Sequence, residues 1–135
     1  MAFDIKSVSV AALAYLGDSV IEGQVRTCLV RHGISTSRRL NALALHFVRA
    51  SAQCEAVSRI LPLLSEEEAA VFRRGRNMGH TNVPKSATVA EYRQATGFEV
   101  LFGYLSLLGR DERIGELFSL AYAEQIQELE KGENP

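Results

Sequence analysis

The feature that most constrains this chain is the spacing of its apolar residues, which recur every three or four positions along most of the sequence. Leu13, Leu16, Val20 and Ile21 begin one such series, which continues until Gly33 provides a natural stop. This spacing places apolar side chains on one face of an α-helix. No segment alternates with a period of two between turn signals, so the sequence predicts an all-α fold.

Capping residues and helix breakers indicate where the helices begin and end. Ser65 is followed three positions later by Glu68, which is the spacing of a capping box. The stretch 75–88 contains glycines, asparagines and Pro84 without helical spacing, and it is predicted to be a loop. We expect about seven helices, including residues 8–32, a segment capped by Ser35 or Ser37 and reaching Val48, one capped by Ser51 and reaching Leu61, one that starts after Ser65, and residues 89–109 and 111–129.

A chain of 135 residues, of which 47% are hydrophobic, can bury a core, and we expect one domain over residues 1–135 with a frayed tail at 131–135. No apolar run reaches the length of about 18 residues that a membrane helix needs, and the N-terminus lacks a secretory pattern. Cys28 and Cys54 form no CxxC pair. The chain is therefore predicted to be cytoplasmic, with reduced cysteines and no membrane partner.

The net charge of −1 conceals an uneven distribution of charge along the chain. Residues 23–65 contain six arginines and one acid, and residues 73–93 contain four arginines and Lys85 with one acid. Residues 94–135 reverse this balance with eight acids and three basic residues. Most of the basic residues are arginines, whose guanidinium groups bind phosphate in a bidentate manner. The pattern indicates either a nucleic-acid surface in the middle of the chain or solvated helix faces.

Two acids lie in apolar helical segments, where an unpaired buried carboxylate would be costly. Asp18 stands in the stretch LGDSV and Glu99 in the stretch GFEVLF, each shortly after a glycine. We expect both side chains to be buried, so that either they share a Mg²⁺ ion or each pairs with an arginine. Glu22, one helical turn after Asp18, is a further candidate metal ligand, but its spacing also suits an ion pair with Arg26.

The same segments resemble those of a known enzyme family. AALAYLGDSV (residues 11–20) resembles the signature helix of bacterial ribonuclease III, and TGFEVLFG (96–103) resembles its second acidic helix. The chain is most similar to the short form of that family, Mini-ribonuclease III, through FRRGRN (72–77), VPK (83–85) and YRQATGFE (92–99). The resemblance covers nearly the whole chain, and its middle and C-terminal motifs are specific in combination.

This resemblance implies a helical ribonuclease III endonuclease domain that cleaves double-stranded RNA and leaves 5′-phosphate and 3′-hydroxyl ends. Asp18 and Glu99 match the family's catalytic carboxylates, which hold Mg²⁺, for which Mn²⁺ can substitute. The expected substrate is precursor 23S ribosomal RNA, the expected assembly is a homodimer, and a ribosomal protein is a candidate helper. Ala11, Ala14 and Thr96 stand where the longer enzymes have acids, so we expect weaker Mg²⁺ binding.

The resemblance also implies a surface for RNA. Its residues are mostly basic and lie in or beside the 75–88 stretch: Arg73, Arg74, Arg76, Asn77, Lys85 and Arg93. Such residues contact phosphates and 2′-hydroxyls, because A-form RNA is recognised mainly by its shape. Arg93 could instead pair with Glu91 or Glu99. Tyr15 stands at a position that packs against the partner subunit in the longer enzymes, so we expect it at the dimer interface or in the core.

A second class of function remains open at this point. Because three acids of the longer enzymes are missing, the chain could be an inactive ribonuclease III fold that serves as an RNA-binding or ribosome-associated module. A metal bound between Asp18 and Glu99 would favour the enzyme. A DNA-binding regulator has little support, since no short turn leads into a basic recognition helix.

Overall fold

The computed structural model describes residues 4–78 and 87–132, which form seven α-helices and two short 3-10 helices without any strand. The prediction of an all-α fold is confirmed. The α-helices are α1 (Val10–Arg31), α2 (Ser37–Val48), α3 (Ala50–Ile60), α4 (Glu66–Arg76), α5 (Val89–Leu107), α6 (Asp111–Ala121) and α7 (Ala123–Glu130). The 3-10 helices are Ile5–Ser7 and Leu61–Leu63. Within these ranges, no helix is long and apolar enough to span a lipid bilayer.

Helix α5 occupies the centre of the bundle. From residue 95 to residue 105 it is buried on every side, with only Glu99 and Tyr104 partly exposed. Helices α1, α3, α4 and α6 pack around it. A helix that is apolar around its whole circumference is stable only when neighbours cover all of its faces. The helix that carries Glu99 is therefore the most enclosed element of the fold.

Several predicted helix ends are confirmed, because they depend on local capping chemistry. The Ser65 hydroxyl accepts a hydrogen bond from the Glu68 amide at 3.1 Å, and the Glu68 carboxylate accepts one from the Ser65 amide at 2.9 Å. Gly33 follows α1 with φ of 84°, a left-handed conformation that glycine adopts without strain. Helix α5 begins as expected, behind a second capping box between Thr88 and Glu91 that was not predicted.

Two predicted caps are wrong. Thr36 caps α2 through its hydroxyl, whereas Ser35 and Ser37 do not. Helix α3 begins before Ser51, after an N-terminal residue, Arg49, whose backbone is extended and whose side chain forms no capping bond. Three short hydroxyl side chains stand in a row at the start of α2, at residues 35–37, so each of them has the chemistry of a cap there. The path of the backbone in the tertiary structure determines which residue starts each helix.

The single helix predicted for residues 111–129 is two helices, because the chain turns at Tyr122. Tyr122 is fully buried, and its hydroxyl donates a hydrogen bond to the Phe47 carbonyl at 2.7 Å. Its ring packs against the rings of Phe47, Phe98 and Phe118, with centroids 5.0 to 6.1 Å away. Burial also raises the pKa of the Tyr122 hydroxyl. The turn therefore depends on contacts between distant parts of the chain.

Replacing Tyr122 with phenylalanine is expected to lower the free energy of unfolding by about 1 to 2 kcal/mol, because it leaves the buried Phe47 carbonyl without its donor. Tyr15→Phe is the matched control, since the side chain of Tyr15 is exposed and forms no hydrogen bond within the described residues. Urea unfolding at one protein concentration measures both variants. Equal losses of stability would contradict a structural role for the buried hydroxyl.

The predicted loop and tail lie partly outside the described residues. Helix α4 continues to Arg76, so the first two residues of the 75–88 stretch are helical and not part of a loop. Residues 79–86, which include Lys85, lie outside the described part of the chain, as do residues 133–135 of the predicted tail.

Candidate active site at the crossing of two helices

The candidate active site lies where α1 crosses α5, and two glycines set the distance between these helices. A Cβ atom added to Gly17 would lie 1.6 Å from the Glu99 carbonyl oxygen. One added to Gly103 would lie 2.1 Å from the carbonyl oxygen of Leu13. The absence of a side chain at both positions lets the two backbones touch. Because Asp18 directly follows Gly17, the crossing brings Asp18 next to Glu99.

The carboxyl groups of Asp18 and Glu99 interact directly. Burial, the charge of Asp18 and a hydrogen bond with Asp18 raise the pKa of Glu99 to about 8. Glu99 is half-buried, but Asp18 is exposed, so the expectation that both are buried is wrong for Asp18. The reason is that Gly17 is the residue that faces α5, and the next position in a helix points about 100° away from it.

No basic side chain of the described residues neutralises this pair of acids. Within residues 4–78 and 87–132, neither Asp18 nor Glu99 takes part in an ion pair. The alternative in which each acid pairs with an arginine is therefore wrong for this part of the chain. Two carboxyl groups in contact without a cation favour the binding of a divalent ion, because its charge relieves their mutual repulsion.

The residues present fit a divalent metal ion with few protein ligands. Carboxylate oxygens are preferred ligands of Mg²⁺, which keeps several water molecules when it binds proteins. Among the described residues, no group of three or more His, Cys, Asp or Glu side chains is placed to hold an ion. Thr96, one turn before Glu99, is buried and donates its hydroxyl to the Tyr92 carbonyl at 2.9 Å. Asp18 and Glu99 would hold such an ion, with water or substrate oxygens as its remaining ligands.

Glu22 forms the ion pair that its spacing suggested. Its Oε1 lies 2.9 Å from Nη2 of Arg26, and both side chains are open to solvent. An exposed pair of this kind contributes about 0.5 kcal/mol at most, so it holds Glu22 only weakly. A role for Glu22 as a metal ligand stays a prediction.

The residues predicted to bind RNA are distributed over two helices. Within the described part of the chain, the exposed members are Arg73, Arg74, Asn77 and Arg93, whereas Arg76 is partly exposed. A Cβ atom added to Gly75 would lie 2.9 Å from the Cα atom of Gly97, so the end of α4 touches α5 one helical turn from Arg93. The close contact therefore places the two basic segments on neighbouring stretches of helix.

Arg93 forms no ion pair with Glu91 or Glu99 in the described residues, so the alternative of a structural pair is wrong there. Glu91 instead closes the capping box of α5. Within the described residues, the guanidinium of Arg93 is thus available to a ligand. Lys85 lies outside the described residues, and its role stays a prediction.

Tyr15 lies on the outer face of α1, where 86% of its surface is exposed. The alternative that it belongs to the core is therefore wrong. Ala11 and Ala12, one turn earlier, are exposed as well. This face is apolar and lacks a cover from the described residues of the same chain, and the dimer interface expected at Tyr15 stays a prediction.

The sequence-based prediction of the site missed the glycines that build it. Gly17 and Gly103 join α1 to α5, and Gly75 and Gly97 join α4 to α5. A glycine inside a helix costs about 1 kcal/mol relative to alanine. Three of these glycines, Gly17, Gly97 and Gly103, lie in segments predicted to be helical, and they were a signal of close backbone contact that the prediction did not use.

The chain is similar in sequence to known proteins. Residues 11–110 match the Ribonuclease III domain family. The chain is similar to Mini-ribonuclease 3 of Clostridium tetani, with 40% identity over 97% of this chain and 88% of the relative. It is also similar to Mini-ribonuclease 3 of Gloeobacter violaceus, with 47% identity over 86% of this chain and 84% of the relative.

A solved structure is similar to the fold as a whole. The crystal structure of protein FN1578 from Fusobacterium nucleatum superposes with a TM-score of 0.81 and 29% identity, covering 92% of this chain and 99% of that chain. The sequence and structural similarities thus extend over both helices of the candidate site. The chain belongs to the ribonuclease III family and is an endoribonuclease.

Proposed function

We propose that this endoribonuclease cleaves double-stranded RNA with the help of a divalent metal ion held by Asp18 and Glu99. The observation that carries the proposal is the direct contact of these two carboxyl groups, which no basic side chain of the described residues neutralises. The ion is Mg²⁺, with Mn²⁺ as a substitute, because the ligands are carboxylate oxygens. Glu22 is a further candidate ligand.

The metal ion and the side chains of the site have different roles in the proposed reaction. When bound, the divalent ion polarises the phosphate and lowers the pKa of water, which favours hydrolysis of a phosphodiester. Asp18 and Glu99 hold the ion at the crossing of α1 and α5. Binding a cation favours the ionised form of Glu99, so this side chain releases its proton when the site is loaded. The family's acids missing at Ala11, Ala14 and Thr96 leave a small ligand set, and we expect weak metal affinity.

The duplex is proposed to lie on the basic residues next to this crossing. Arg73, Arg74, Asn77 and Arg93 present exposed side chains there, with Arg76 and Lys85 as further members of the proposed surface. Contacts with phosphates and 2′-hydroxyls position a duplex without reading its sequence. This surface accounts for the basic segment 73–93 in a chain whose net charge is −1.

The proposed active form is a homodimer of a single domain that spans residues 1–135. One site cuts one strand, and two-fold symmetry supplies a second site for the antiparallel strand. The exposed apolar face around Tyr15 is the proposed contact between subunits. We further propose precursor 23S ribosomal RNA as the substrate, 5′-phosphate and 3′-hydroxyl ends on the products, a cytoplasmic location and a ribosomal protein as candidate helper.

Incubation of the purified protein with a duplex from precursor 23S ribosomal RNA tests the proposal. We expect cleavage that depends on Mg²⁺, stops with a chelator and leaves the stated ends. The same sequence as single-stranded RNA and as duplex DNA provides the controls. Binding of the RNA duplex without cleavage at any Mg²⁺ or Mn²⁺ concentration would contradict the enzyme and favour the inactive RNA-binding module.

Removing two charges from α4, as Arg73→Gln with Arg74→Gln, is expected to weaken duplex binding. It should also make the plot of log binding constant against log salt concentration less steep, by a slope of about two. Both side chains are exposed, so the fold should persist. Lys6→Gln with Lys131→Gln removes the same charge from exposed positions elsewhere. Fluorescence anisotropy in a chelator measures binding at several salt concentrations. Equal slopes for the two double variants would place the RNA on another surface.

A further inference from the structure

The N-terminal turn of α4 is tied to the far end of α5 by a network of charged hydrogen bonds. The Glu67 carboxylate accepts hydrogen bonds from Nη1 and Nη2 of Arg110, at 2.8 and 3.3 Å, and from the hydroxyl of Tyr104. Tyr104 lies on α5, and Arg110 lies in the turn between α5 and α6. The bonds from Arg110 and Tyr104 lower the pKa of Glu67, so its carboxylate is ionised at neutral pH.

The next residue of α4 is held by a second arginine. Glu68 accepts hydrogen bonds from Nε and Nη2 of Arg113 at 2.9 and 2.8 Å. Arg113 lies on α6 and also donates to the Leu63 carbonyl at 3.0 Å. Glu68 is buried, and the same carboxylate closes the capping box with Ser65. This second pair therefore anchors the start of α4 to α6.

Two anchored neighbours constrain α4 more strongly than one. Successive side chains in a helix point about 100° apart, so the bonds to Glu67 and Glu68 fix the rotation of α4 about its own axis. At its other end, about 12 Å along the axis, Gly75 touches Gly97 of α5. The buried side chains of Val71 and Phe72 pack against α5 between these two ends and also resist rotation. The orientation of the exposed arginines at positions 73 and 74 therefore depends on this packing together with the anchor at the start of the helix.

We propose that Glu67, together with Tyr104 and Arg110, is a positioning residue for the RNA-binding end of α4. This inference rests on the proposed function, and it assigns these three residues a role without contact to RNA. Exposed ion pairs contribute little to stability, so loss of the Glu67 contacts should leave the fold largely intact. The buried pair of Glu68 and Arg113 then holds the helix while its rotation becomes less restricted.

The proposal is tested by comparing Glu67→Gln with Glu66→Gln in duplex cleavage. Both substitutions remove one negative charge from the first turn of α4, but Glu66 is exposed and forms no ion pair in the described residues. Charge alone predicts that both variants bind RNA slightly more tightly. Loss of positioning instead raises KM of Glu67→Gln by about threefold to tenfold, with kcat within about twofold of the parent.

Tyr104→Phe provides a second variant in which no charge changes. It is expected to shift KM in the same direction as Glu67→Gln, and urea unfolding of both variants checks that they fold. If the parent protein cleaves duplex RNA but Glu67→Gln behaves as Glu66→Gln, the positioning role alone is refuted. A fall in kcat with KM unchanged would refute it as well, because the effect would then reach the carboxylates of α5. Absence of cleavage by the parent protein refutes the proposed function and this inference together.

Discussion

Replacing either carboxylate of the site by its amide, as Asp18→Asn or Glu99→Gln, is expected to lower the rate of duplex RNA cleavage by more than about a hundredfold. Each change removes half of the charge that would hold the metal ion. Steady-state cleavage over a range of Mg²⁺ concentrations measures the loss. Recovery of part of the activity at high Mn²⁺ would support a weakened metal site.

Glu112→Gln is the matched control for the amide substitutions. It makes the same chemical change at an exposed position on α6 that forms no ion pair in the described residues. We expect its cleavage rate to stay within about twofold of the parent, as for most surface substitutions. Full activity of both Asp18→Asn and Glu99→Gln would mean that the metal and the chemistry lie elsewhere.

Glu99→Gln is expected to raise stability at high pH although it lowers activity, which separates loss of function from loss of fold. In metal-free buffer the pKa of Glu99 is about 8 in the folded protein, above its ordinary value in the unfolded chain. The folded state thus binds more protons than the unfolded state between these values, and its stability falls as pH rises through about 8. Glu99→Gln lacks this dependence, so it should be more stable than the parent protein at pH values above about 8.

The second large effect is expected at Gly17, where alanine should destabilise the fold by about 3 kcal/mol or more. The added Cβ atom would lie 1.6 Å from the Glu99 carbonyl oxygen, so the backbones of α1 and α5 must separate. That separation also moves Asp18 away from Glu99. Where Gly17→Ala remains folded at low temperature, cleavage should therefore fall together with Mg²⁺ affinity.

Gly23 on the same helix provides the control for this prediction. A Cβ atom added there meets nothing within 4 Å, so Gly23→Ala should stabilise the protein by up to about 1 kcal/mol through its helix propensity. Thermal and urea unfolding of both variants give the comparison. Similar stabilities for Gly17→Ala and Gly23→Ala would contradict the close crossing of α1 and α5.

Much of the secondary structure could be predicted because its causes are local. The apolar spacing of α1, the stop at Gly33 and the capping box at Ser65 each act within a few residues of chain, and the structure confirms them. The turn at Tyr122 could not be predicted in this way. It depends on a hydroxyl that reaches the carbonyl of Phe47, and no local pattern encodes a contact with a residue that far away in sequence.

The candidate site likewise has features that the sequence predicts and features that depend on the tertiary structure. Asp18 and Glu99 could be selected from the sequence, since acids in apolar helical segments are costly and therefore conspicuous. The exposure of these two side chains could not be predicted from the sequence, because it depends on which side of α1 faces α5. Gly17, and not Asp18, occupies that side, and this was the reason that the predicted burial of Asp18 was wrong.

The sequence by itself determined that this chain forms helices, which acids and arginines are candidates for chemistry, and which family it resembles. These properties follow from residue identity and from spacing over one or two helical turns. Only the tertiary structure decided that Asp18 touches Glu99, that Glu99 titrates near pH 8 and that Glu67 ties α4 to Tyr104 and Arg110. The contacts of Glu99 with Asp18 and of Glu67 with Tyr104 and Arg110 join residues more than 30 positions apart in the sequence. Only the packing of the helices brings these groups together.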